Sequence, residues 1–162
     1  MEKDESPLEK LKKKYLKLQK KYSLPSFEEM NKDFNIEKIS QIETEYLLRE
    51  IRKSMSEKFS AYLRFTENIL NPVNSSMFMM SIIKTIDMKN KNFISKIYGK
   101  LAKKESEMFK LDLEFSIERD AEYIKNSFSF WQDLKKDLHK ISDLIESNWD
   151  KKFEINKKGY FG

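Results

Sequence analysis

The chain has 162 residues, 36% of them charged and 39% hydrophobic with 13% aromatic, a formal net charge of +5, and no cysteine. That length suits one core that buries about 70% of the unfolded surface, and the aromatic content is too rich for disorder. The missing thiols exclude disulfides, thiolate metal sites and cysteine nucleophiles.

Charge is concentrated at the start of the chain. Residues 1–22 carry a net +4 and the remainder about +1. Only four of the basic residues are arginine (Arg49, Arg52, Arg64 and Arg119), whereas bidentate phosphate and base recognition favours the arginine fork. No apolar run nears the roughly 18 residues of a membrane span, and the opening MEKDESPLEK lacks the apolar segment of a signal peptide. A cytoplasmic protein without a membrane span is therefore expected.

Glycine and proline occur three times each, and no segment sustains strand alternation, so the fold class is all-α. Ser6, Pro7 and Glu9 form a complete start signal for a helix over 6–23. Leu8, Leu11, Tyr15, Leu18 and Tyr22 follow as one apolar seam on a lysine-coated surface, and this basic helix could stand semi-detached from the rest. Pro25 ends it. Ser26 and Glu29 repeat the capping pattern and open a short helix with Phe27, Met30 and Phe34 on one side.

The periodicity from Ile36 to Leu70 predicts a helix of about 50 Å, with Leu47, Ile51, Met55, Phe59, Tyr62, Phe65 or Thr66, and Ile69 along one face. Asn71-Pro72 stops it. Over 73–86, apolar residues at 77–80, 82, 83 and 86 cover most of a short helix. Such a helix belongs in the interior, wedged between longer ones. The alternative is an adaptable docking face made of Met77, Phe78, Met79 and Met80.

A helix over 90–126 carries two adjacent stripes. Ile94, Ile97, Leu101, Met108, Leu111 and Phe115 form the first; Phe109, Leu113, Ile117 and Ile124 form the second. So wide an apolar arc predicts deep burial. Ser129 and Gln132 suggest a cap for a last helix over 129–153, with Trp131, Leu134, Leu138, Ile141, Ile145 and Trp149 as its seam. The expected architecture is an elongated antiparallel bundle of four to five main helices in a single domain over 1–153. A flexible tail is expected over 154–162, where Tyr160 and Phe161 form a second partner-binding candidate.

The residues that carry chemistry are sparse. Gly99 is the only glycine before the last four residues, so no phosphate loop can form. His139 is the only histidine, which excludes the Glu-x-x-His pairs of a di-metal bundle. Glu114, Glu118 and Glu122 repeat at helical spacing and are weak metal candidates. No catalytic residue, cofactor or small-molecule substrate is inferred.

Three functions follow in order. The first is a non-enzymatic helical interaction or assembly module whose partner is another protein or its own copy, as a homodimer. The second is a nucleic-acid-associated protein that meets phosphates through Lys10, Lys12, Lys13, Lys14, Lys17, Lys20 and Lys21, with Tyr15 or Tyr22 stacking on bases. The third is a carboxylate- or metal-dependent enzyme.

Overall fold

The structure, a computed structural model, describes residues 5–159, with side chains through Lys151. It is all-α: six α-helices and one 3-10 helix, with no strand among the described residues. The chain divides into two compact units. The first is Met1–Ser60 with Lys104–Trp131, and the second is Ala61–Lys103 with Gln132–Gly162.

Both capping boxes form as their sequences dictate. Helix α1 (Pro7–Tyr22) starts at Ser6, whose hydroxyl accepts from the Glu9 backbone N–H while the Glu9 carboxylate accepts from the Ser6 N–H. Helix α2 (Phe27–Phe34) starts the same way at Ser26 and Glu29. The Glu29 carboxylate is held below its ordinary pKa by its hydrogen bonds to Ser26. Ser26→Ala removes an acceptor for an otherwise orphaned N–H, and the expected loss is about 1 kcal/mol in a urea unfolding titration.

In the first unit α1 packs on α2 and on the 3-10 helix Ile36–Gln41. Leu11 and Tyr15 are buried, and the Tyr15 hydroxyl donates to the Pro25 carbonyl at 2.7 Å. Its ring meets Phe27 edge-on. Burial raises the Tyr15 phenol, first by desolvation and then through Glu29 and Glu28, so this side chain stays neutral and in place.

The single helix expected over 36–70 is two elements. The 3-10 helix ends at Ile42, whose backbone is extended, and α3 (Leu47–Leu70) begins five residues later. Asn35 sits in the left-handed region, and the Thr44 hydroxyl accepts from the Tyr46 N–H. Such local side-chain acceptors compete with helical hydrogen bonding. Ile36 and Ile39 are buried three residues apart, which is the 3-10 repeat and not the α repeat.

The break expected at 126–129 lies instead at 114–116. Helix α5 (Met88–Leu113) ends there, and α6 (Ile117–Gly159) starts with the Ser116 hydroxyl accepting from the Arg119 N–H. Ser129 caps nothing, because α6 continues through it. Tyr123, Ser127 and Trp131 are buried one turn apart on the same face, and that burial outweighs the weak helix propensity of Asn126 and the serines. The backbone of α6 is helical as far as Gly159, into the segment expected as a tail.

In the first unit Arg52 of α3 meets Asp112 of α5, while Ser60 donates to Glu105, so α3 and α5 run antiparallel there. Phe59 lies against Phe34, Phe130 and Trp131 at ring separations of 5.5–6.2 Å. Lys58 covers the Trp131 ring at 4.4 Å, and the buried Lys104 lies 5.3 Å from the rings of both Tyr123 and Phe130. Lys104 is paired with Glu107 at 2.7 Å, which makes its burial tolerable.

The second unit buries Ile69, Ile82, Ile83, Ile86, Ile94, Ile97, Leu101, Leu134 and Ile141. Helix α4 is only Met77–Ile83, capped by Ser76. Its C-terminal half is interior, whereas Met77 is 90% exposed and Phe78 is exposed against the Trp149 ring at 4.6 Å. An apolar helix expected to be wedged in on all sides is thus buried through Ile82 and Ile83 alone.

Candidate interaction surface at the α5–α6 corner

The corner between α5 and α6 is fixed from beneath by a buried cation. Arg52 is 1% exposed. Its Nη1 donates to Asp112 Oδ1 at 3.0 Å, just before the corner, and its Nε lies 2.8 Å from Asp120 Oδ1, just after it. One guanidinium therefore ties the end of α5, through a hydrogen bond, to the first turn of α6, through an ion pair.

Asp120 is itself only 3% exposed. Desolvation raises its carboxyl above the ordinary aspartate range, while Arg52 and then Arg49 pull it back. A raised folded-state pKa makes the folded protein bind more protons than the unfolded chain, so this group's contribution to stability is lost as pH rises through that pKa. Asp120→Asn cannot titrate. Urea titrations across the acidic to neutral range are expected to show the parent losing stability, relative to this variant, as the pH rises.

Above this clamp the surface is apolar. Phe109 and Leu113, one turn apart on α5, are each 68% exposed. Phe115 in the corner, Ile117 at the start of α6 and Tyr46 ahead of α3 are exposed as well. The Phe115 and Tyr46 rings meet edge-on at 5.1 Å, which joins the patch across two elements. Of the two stripes that sequence places deep in a bundle, Ile94, Ile97, Leu101 and Ile124 are buried, whereas Phe109, Leu113, Phe115 and Ile117 are open to solvent. Acidic groups border it: Asp112, Glu114 and Glu118 are exposed, with Glu114 contacting Arg119 at 3.4 Å. Single exposed apolar residues are ordinary, but a contiguous patch with a charged rim marks a binding surface.

No family model, curated protein or solved structure matches the chain. The site must be read from its own chemistry.

The other candidates fall in separate places. Glu114 lies in the turn, while Glu118 and Glu122 stand on α6, so the three do not share one helical face. No group of three acidic or histidine side chains among the described residues could hold a metal ion. His139 is exposed. Met77 and Phe78 are exposed, and Met79 and Met80 are half-buried. Met77 and Met80 line an open cleft of about 750 Å³ with Ser75, Ser81, Lys84 and Asn148. Tyr160 and Phe161 lie outside the described residues.

Several of the N-terminal lysines are already engaged. Lys13 pairs with Glu5, Lys14 donates to the Thr44 carbonyl at 2.8 Å, and Lys12 covers the Phe27 ring at 5.4 Å. Lys21 lies over Tyr22 at 5.0 Å. With Tyr15 buried, the stacking partner that nucleic-acid binding requires is gone from the middle of α1. Four lysines (Lys10, Lys13, Lys14 and Lys17) nevertheless line one cleft of about 680 Å³ between α1 and residues 39–47, over an apolar floor of Leu11, Ile39 and Leu47.

The corner patch is the feature that sequence reasoning missed. Its signal is the interleaving of Phe109, Leu113, Phe115 and Ile117 with Asp112, Glu114 and Glu118. An apolar stripe with acids at 112, 114 and 118 has too many charges to be enclosed.

Proposed function

We propose that this chain is a non-enzymatic helical interaction or assembly module that presents the α5–α6 corner to another protein or to a second copy of itself. One observation carries the reading: Phe109, Leu113, Phe115 and Tyr46 are all exposed around a corner whose two sides the buried Arg52 ties together, with the Phe115 and Tyr46 rings in contact. A patch so supported loses little conformational freedom on binding, which favours affinity. Polar neighbours on the rim supply selectivity.

The test is capture from native lysate, with and without nuclease, using the parent chain and Leu113→Glu. A protein retained by the parent, lost with the variant and indifferent to nuclease supports the corner. Equal retention by both chains removes it. The lysine cleft supports a second reading, a phosphate-driven contact with nucleic acid. Material that disappears on nuclease treatment, and whose retention falls steeply with salt, would put that reading in place of the first.

A further inference from the structure

We propose that the occupant of the corner is a second copy of this chain, in a two-fold dimer where each copy's α5–α6 corner seats in the other's lysine cleft. This rests on the interaction reading above and names its partner. The carrying observation is that one compact unit displays two complementary surfaces.

Four lysines (Lys10, Lys13, Lys14 and Lys17) and two carboxylates (Glu5 and Glu43) line the cleft, which leaves it net positive over an apolar floor. Lys10 and Lys17 line it, and their ammonium groups have no ion pair or hydrogen bond among the described residues. The corner is apolar, and Glu114 and Glu118 beside it are exposed, Glu114 in contact with Arg119 at 3.4 Å. Apolar side chains entering the cleft would cover Ile42, which lines it and is 52% exposed, and the flanking carboxylates would meet the ammonium groups of Lys10 and Lys17. The charges that flank the two surfaces are then opposite in sign.

Placement supports the symmetry. Thr44 and Leu47 line the cleft, and Tyr46 between them touches Phe115 of the corner. Cleft and corner therefore adjoin along one segment of chain. Two complementary surfaces side by side on one face can be exchanged about a two-fold axis, and that closes the assembly after two copies. Had they stood on opposite faces, the same contact would build an open filament.

The charges supply a test with its own control. All four side chains are exposed, so Lys10→Glu with Lys17→Glu in one chain, and Glu114→Lys with Glu118→Lys in another, leave the core untouched; circular dichroism checks this. Sedimentation velocity across the micromolar range should show the parent in monomer–dimer equilibrium. Each reversed chain alone should dimerise at least about tenfold more weakly, because both contacts then oppose like charges. An equimolar mixture of the two should recover the parent's association, since each contact again pairs opposite signs.

A parent chain that stays monomeric overturns the proposal, as does a dimer that neither reversal weakens, or a mixture that fails to recover. If the parent is monomeric while capture remains sensitive to Leu113→Glu, the corner serves a different protein and only the second copy is lost. If the monomer instead retains a thymidine oligonucleotide through Lys10 and Lys17, the cleft is a phosphate site.

Discussion

Arg52→Ala is expected to lower the unfolding free energy by about 3–5 kcal/mol, because it leaves the buried Asp120 carboxylate without its cation. The contacts set the scale. Arg52 is the largest fully buried side chain, and it joins two carboxylates of unequal exposure. Asp120 is 4% exposed at its side chain and Asp112 is 49% exposed. Losing the pair with Asp112 alone costs little, as solvent can take over. The loss at Asp120 dominates. Replacing both members, Arg52→Met with Asp120→Leu, should recover most of the deficit, since apolar packing of similar volume removes the unpaired charge. Urea unfolding of the two single variants and the double variant checks this. A double variant as weak as Arg52→Ala would mean that the cost lies in packing and not in charge.

The double variant also separates stability from function. It should fold well and still weaken binding at the corner, because no guanidinium then holds Asp112 and Asp120 across residues 114–116. A stable double variant that retains its partner at full strength would show that the corner keeps its shape without the clamp.

Phe59→Ala is the second large effect, with about 3–5 kcal/mol expected from lost transfer energy and the cavity left behind. Phe59 is 2% exposed and lies among Phe34, Phe130 and Trp131. The cluster gathers α2, α3 and α6 into one core, so no single neighbour can collapse into the space. Phe109→Ala is its counterpart. That ring is 68% exposed, and its removal should change stability by less than about 0.5 kcal/mol. The contrast between two phenylalanines is a test of the burial pattern itself: similar losses for both would mean that the corner is closed in solution.

Much of the fold was legible, for identifiable reasons. Ser6 with Glu9 and Ser26 with Glu29 act locally, through bonds spanning three residues, so their sequence patterns suffice to place α1 and α2. Most of the buried face of α3 was readable, because Leu47, Ile51, Met55, Phe59 and Ile69 keep helical spacing; spacing alone left Phe65 or Thr66 open, and Thr66 is the buried one while Tyr62 is half-buried. The breaks at 42–46 and 114–116 were not. Neither contains glycine or proline, and both depend on a single hydroxyl, of Thr44 or Ser116, taking over one backbone donor. Ser116 and Ser129 look alike as caps. What separates them is that Tyr123, Ser127 and Trp131 are buried on one face, a tertiary fact.

The corner illustrates the same limit from the functional side. Phe109, Leu113 and Ile117 have the spacing of a core stripe, and periodicity alone says that a face is apolar without saying what covers it. The charged positions at 112, 114 and 118 were the available clue, but Glu114, Glu118 and Glu122 suggest from sequence a solvated acidic face or a weak cation site. Once the chain turns at Glu114–Ser116, the same acids become the rim of an apolar patch. The lysines divide in a like manner. Lys12, Lys13, Lys14 and Lys21 have partners within the first unit, leaving Lys10 and Lys17 as the unpaired charges of the cleft.

The most direct measurement is photo-crosslinking from the corner. Benzoylphenylalanine in place of Phe109, compared with the same group in place of the exposed His139, reads which surface is covered when the chain is among its natural partners. The account predicts one discrete product from position 109, with the mass of two chains if the partner is a second copy, and no such product from position 139. Crosslinking from position 109 that is absent, or no different from that at position 139, would contradict it.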